Sequence, residues 1–264
     1  MIDQVPLAVV VALTLVGFAA GWIDAVVGGG GVLQLPALLI GLPSSTAVPT
    51  VSGTNKLSSI AGTFAASATY VRRVRIAWPT ALLVVVFAYA GSTLGARLVT
   101  FMPRVAFTPV IIVAVAAVGL YTWRRPQLGQ TTHLRHAGRA SHWLLAVALG
   151  AVCGVWDGLV GPGTGIFLVI GFAALLGYGF LEATAMSKLA NLATNAAALL
   201  VLGTQGHVLW GVGACMAAAN LTGGLLGSHM AITRGNRFIR QVLLLVIVGV
   251  EAKLLYDLAR LVWA

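Results

Sequence analysis

Charge is what this sequence has least of. Only 8% of its 264 residues are charged, 6 of those are acidic, and lysine occurs 3 times against 13 arginines. A soluble domain averages about 25% charged residues. A chain this poor in charge, 59% hydrophobic and with a mean hydropathy of +0.97, does not keep itself in water. A long polar interval is also missing, since the longest runs only from about residue 124 to 141 and leaves no room for a soluble domain. The two cysteines, Cys153 and Cys215, lie in apolar segments and exclude a disulfide framework. Zinc signatures, nucleophile triads and phosphate-binding loops are absent too. The run "GGGG" at 28–31 lies between apolar segments and not in a βαβ unit, so it is no dinucleotide fingerprint. No cofactor and no enzymatic activity is expected. His133 and His136 in the basic loop are too few to argue for metal.

What is present is a series of apolar stretches near the roughly 20 residues that cross a bilayer as helix. The chain therefore reads as an all-α polytopic membrane protein. Its net charge of +10 comes from short arginine runs, "RRVR" at 72–75, "RRPQLGQTTHLRHAGR" at 124–139 and Arg234, Arg237 and Arg240. Short basic loops mark the cytoplasmic side, so the excess points to membrane orientation and not to nucleic acid. With both termini outside, 10 arginines fall inside, and Arg97, Arg104 and Arg260 fall outside. The first segment has Asp3 as its only early charge and runs straight into the glycines, which favours a retained helix over a signal peptide.

The chain matches itself at an offset of 132 or 133 positions. "WIDAVVGGGG" (22–31) faces "VWDGLVGPGTG" (155–165), "NKLSSI" (55–60) faces "SKLANL" (187–192), Trp78 faces Trp210, and "GSTLGA" (91–96) faces "GGLLGS" (223–228). Such spacing, half the chain length, is what duplication produces. It divides the chain into a first membrane repeat (1–125), a basic cytoplasmic linker (126–141) and a second membrane repeat (142–264). Each repeat reads as five segments: roughly 5–27, 32–42, 45–71, 76–100 and 104–123, then 142–160, 166–177, 181–203, 207–230 and 235–262. The second segment of each half is too short to cross and follows a glycine break, as a broken helix would. An odd number of segments makes the halves inverted repeats, the usual plan of secondary transporters, with the substrate site where the repeats meet.

Asp24 and Asp157 occupy equivalent positions in apolar segments, as do Lys56 and Lys188. Ionisable groups at membrane depth are costly and line a pathway or pair with each other. Two readings stay open: the aspartates brace the fold by pairing with lysines or capping helices, or they balance the lysines at a transport site and take up protons. The glycines also have two readings. Gly28, Gly29, Gly30 and Gly31, and Gly161, Gly163, Thr164 and Gly165, would bare the N-terminal amides of the following helices, which attract anions. Alternatively they only allow close packing, as the small-xxx-small spacing of "GSTLGA" and "GGLLGS" does. Polar neighbours flank the lysines: Thr54, Asn55, Ser58, Ser59 and Thr63 in one half, and Ser187, Asn191, Thr194 and Asn195 in the other. Lys188, Asn191 and Asn195 fall on one helix face. Asn55, Lys56, Ser187, Lys188 and Asn191 join the glycines as expected substrate-binding residues.

A glycine-rich loop after the first helix, a short segment ending in "GLP", then small and hydroxyl residues leading to a basic turn resembles the sulfite exporter TauE/SafE family. The stretch 24–73 bears most of the likeness, and "GPGTG" at 161–165 resembles the second-half counterpart; the second half departs by having "GYG" at 177–179 in place of "GLP". The resemblance implies a permease of small sulfur-containing anions such as sulfite, thiosulfate or organosulfonates. A bacterial cytoplasmic (inner) membrane is its expected location, membrane lipid is a further expected partner, and Asp24 and Asp157, with no sodium-site signature beside them, suggest protons as another. A passive anion channel and a non-transporting membrane protein remain the alternatives.

Overall fold

The computed structural model describes residues 5–99, 124, 127–134, 136 and 138–263. The expected segment at 104–123 lies outside these residues, as do Asp3, Arg104, Arg125 and Arg135. The described residues form helices and connecting turns, without strand.

Helix α1 (Leu7–Val27) stops at Gly28, whose φ of 84° leaves the helical region at no steric cost. Helix α2 (Gly30–Gly41) follows at once. Gly30 and Gly31 are thus helical, whereas the sequence reading left the whole glycine run outside helix. One left-handed residue and one capping residue, Gly29, suffice to turn the chain. Gly30 serves another purpose, since a side chain there would run into the Ala20 carbonyl and the Asp24 Cβ. Helix α3 (Val48–Arg73) opens on a proline in its first turn and ends on Arg72 and Arg73. Its 26 residues reach about 39 Å. Its polar residues turn inward: Ser52, Thr54, Asn55, Lys56, Ser58, Thr63 and Ser67 are all buried. Helix α4 (Trp78–Leu98) completes the described part of the first half.

In the second half, α5 (Ala140–Leu159) leads through Gly161 and Gly163, both left-handed at φ 93° and 85°, into the short α6 (Thr164–Gly171). A π-helical turn, Phe172–Leu176, extends α6 and ends at left-handed Gly177. Helix α7 (Phe180–Thr204) mirrors α3 in its buried polar residues. The last helix, α8 (Trp210–Trp263), would be about 81 Å long if straight, far beyond a bilayer. It breaks at Gly235 (φ 70°, ψ −164°), where the sequence divides two segments. By length and composition α1, α4, α5 and α7 each suffice to cross a membrane, and α2 and α6 are shorter apolar helices.

The halves interlock. Helix α1 packs along α8 and α4 along α5, while α3 lies against α8 and α4 against α7. Glycines make these seams close. Gly91 and Gly95 of α4 meet the backbone of α5 at Ala151, Gly154, Val155 and Gly158, and Gly223 and Gly227 of α8 meet α1 at Phe18 and Trp22. In lipid, where burial of apolar surface drives little, such backbone contact supplies the packing.

Candidate functional site

Each half contributes a carboxylate at a helix end and an ammonium group from the middle of a polar helix. Asp24 stands in the last turn of α1 and Asp157 in the last turn of α5. The pairs they form cross between the halves. Lys56 Nζ donates to Asp157 Oδ2 at 2.6 Å, and Lys188 Nζ donates to the Asp24 carbonyl at 2.6 Å and to its Oδ2 at 3.0 Å. The Lys56 and Asp157 side chains are 4% and 6% exposed, and those of Lys188 and Asp24 0% and 15%. Little water reaches these side chains, Asp24 being the most exposed of the four, so each charge depends largely on its partner.

The broken elements come together between these pairs. Gly28 and Gly165 pack backbone to backbone, and Gly31 lies beside Pro162. The N-termini of α2 and α6 are therefore neighbours, and first-turn amides have no acceptor within their own helix. Side chains secure the loose carbonyls around them: Tyr70 Oη donates to Ala25 O at 2.9 Å, Trp156 Nε1 to Pro162 O at 2.9 Å, and Thr164 Oγ1 to Gly161 O at 2.8 Å.

A cavity with about 20 Å³ of water-accessible room lies at this junction, space for about one water molecule. The first half lines it with Asp24, Gly28, Gly31, Asn55, Lys56 and Ser59, the second with Asp157, Gly161, Gly163, Thr164, Gly165, Asn191 and Asn195. Asn55 and Asn191 are buried, and their Oδ1 atoms find no hydrogen-bond partner. Asn195 Nδ2 reaches Thr63 Oγ1 at 3.5 Å, joining two positions that the 132-residue offset makes equivalent.

Four residues grouped with the substrate shell in the sequence lie off the cavity. Gly29 faces the apolar side chains of Val246, Ile166 and Ile23, and Gly30 faces α1. Ser187 donates to the Thr184 carbonyl at 3.0 Å. Lys188 is fully buried on Asp24. Ser59 and Asn195 take their place, each four residues after a lining asparagine, one helical turn along the same face. Sequence reasoning missed Gln34, a fully buried amide in α2 that accepts from Asn220 Nδ2 at 3.1 Å while Asn220 also donates to Gly17 O at 2.9 Å. A single amide in an apolar helix was the available signal. His136 stays in its loop, 3.2 Å from Ser141 Oγ, and among the described residues no three His, Cys, Asp or Glu side chains gather as a metal set.

Interlocked membrane helices around a polar hollow, entered by two broken elements, are the architecture of an integral multi-pass membrane transporter. The chain belongs to the sulfite exporter TauE/SafE family, whose profile matches residues 13–254. It is 34% identical over 246 residues, 93% of this chain and 92% of the relative, to "Probable membrane transporter protein ORF9" of Sinorhizobium sp.. Over 246 residues it is 32% identical to "Probable membrane transporter protein" of Haemophilus influenzae, covering 93% of this chain and 94% of that one. The same identity and length relate it to "Probable membrane transporter protein YfcA" of Escherichia coli K12, with 93% and 89% covered. No solved structure matches the chain significantly.

Proposed function

We propose that this transporter is a secondary carrier, using no ATP, for small sulfur-containing oxyanions such as sulfite, thiosulfate or organosulfonates. The observation that supports this most is the junction of two helix N-termini with a lysine and two asparagines, whose Oδ1 atoms have no partner, around one cavity. Backbone amides and an ammonium group donate to oxyanions, and the helix ends add favourable partial charge. The family's name and the sulfur chemistry it states support the substrate class.

In this reading Lys56, Asn55, Asn191 and the amides around Gly31 and Gly163–Gly165 hold the anion, while Asp157 and Asp24 hold the lysines when the site is empty. Proton uptake by an aspartate frees its lysine for the anion and couples transport to the proton gradient. The two halves act as inverted repeats, both termini lie outside, and the arginine loops face the cytoplasm across the inner membrane. With room for about one water molecule, the cavity has to widen to admit an anion, which supports a carrier over an open channel.

Sulfite uptake by proteoliposomes tests the proposal. Lys56→Ala should lower uptake at least about tenfold, equivalent to about 1.4 kcal/mol, in protein that still elutes as a folded species in detergent. An imposed pH gradient should change the wild-type rate. Full uptake by Lys56→Ala would remove the lysine from the site, and indifference to the gradient would end proton coupling.

A further inference from the structure

The formal charges around the cavity cancel, and this bears on which anions it accepts. Lys56 and Lys188 contribute two positive charges, Asp24 and Asp157 two negative ones, held in crossed pairs at 2.6 and 3.0 Å. Among the described residues no arginine, histidine or glutamate lines the cavity. What remains is the partial charge of the α2 and α6 N-termini, about +0.5 each and so about +1 together. An independent observation points to a polar guest. Asn55 and Asn191, 3% and 4% exposed, line the same cavity, and each has a buried Oδ1 atom with no hydrogen-bond partner. Buried side-chain amides are nearly always hydrogen-bonded, and an amide that turns over presents two N–H donors in place of its oxygen.

We infer that, while Asp24 and Asp157 are both ionised, the cavity selects singly charged oxyanions, of the hydrogensulfite or monosulfonate kind, over dianions of the same shape. The inference rests on the carrier reading above and narrows its substrate class. The physical reason is a mismatch of scaling. The cost of removing an ion from water grows with the square of its charge, whereas its attraction to a fixed partial charge grows only in proportion. A monoanion meets the helix ends with its charge matched. A dianion leaves one negative charge uncompensated among buried groups, and an uncompensated buried charge is relieved by taking up a proton. A dianion is accepted only when Asp24 or Asp157 is protonated, which changes the balance by one.

Calorimetric titration of the purified full chain in detergent at pH 8 tests this with methanesulfonate and sulfate, two tetrahedral anions of similar size that differ by one charge. Methanesulfonate should bind at least about tenfold more tightly. Sulfate binding as tightly or more tightly would overturn charge selection and leave the oxyanion carrier standing. Failure of both anions to bind would overturn the inference, and failure of sulfite uptake as well would overturn the carrier reading with it. Asp157→Asn adds one net positive charge and should move the preference towards sulfate by about tenfold or more. Lys56→Gln combined with Asp157→Asn restores cancellation and should restore the preference, though at lower affinity. Should Asp157→Asn not fold, Asp24→Asn makes the same change of charge. A preference that ignores these substitutions refutes the inference.

Discussion

Removing one member of the Lys56–Asp157 pair asks whether it is a brace, a transport element or both. At 2.6 Å, with both side chains about one-twentieth exposed, the attraction is roughly 6 kcal/mol at an effective dielectric constant of about 20. Desolvating the two ions costs several kcal/mol each, so the intact pair contributes little net stability. A lone ion left behind keeps its desolvation cost and loses the attraction. Lys56→Met and Asp157→Leu should therefore each destabilise the protein by about 3–5 kcal/mol, while the double variant should recover most of that loss. Unfolding free energies of all four proteins, from denaturant titration in one detergent, give the coupling directly. Transport should be lost in all three variants, because the double variant is stable but has no ammonium at the cavity. Additive costs below about 1 kcal/mol each would mean that the charges are hydrated and solvent-separated, and would refute the buried-pair reasoning. A double variant that still carries sulfite would show the pair to be a brace alone.

Three further outcomes follow from the backbone geometry and the topology. Gly28→Ala must hold a left-handed backbone and push against Gly165. It should cost about 2–5 kcal/mol, and a thermal midpoint equal to wild type would contradict the packing of the two breaks. Gly154→Ala, whose new methyl meets the Ala88 backbone, should destabilise by about 1–3 kcal/mol. Gly203→Ala, whose nearest neighbour is 3.8 Å away, should instead stabilise by up to about 1 kcal/mol; the reverse order would contradict the α4–α5 seam. With Cys153 and Cys215 replaced, a cysteine introduced at Arg73 should react with a membrane-impermeant maleimide only from the cytoplasmic side, and one at Gln205 only from the other. Labelling of both from one side would refute the proposed orientation.

Composition and periodicity settled the class of this protein. A chain with so few charges has to place its helices in lipid, and its glycines and prolines mark where those helices break. The segments at 5–27, 76–100, 142–160 and 181–203 correspond to α1, α4, α5 and α7, within a few residues at each end. Asp24, Asp157, Lys56 and Lys188 were also legible as residues to watch, because rare charges in an apolar sequence stand out against their background.

Which charges meet was not legible. Nothing in spacing says that Lys56 reaches Asp157 of the other half, 101 positions away, and not Asp24 of its own. That follows from α1 lying on α8 and α4 on α5, contacts set by glycine seams that local sequence cannot orient. The same packing placed Ser59 and Asn195 on the cavity and left Ser187 and Lys188 behind it, although all four lie on the two polar helices. Sequence determined which residues were too polar for lipid. Only the tertiary structure decided which of them share one cavity, because that depends on how two long helices are rotated against each other.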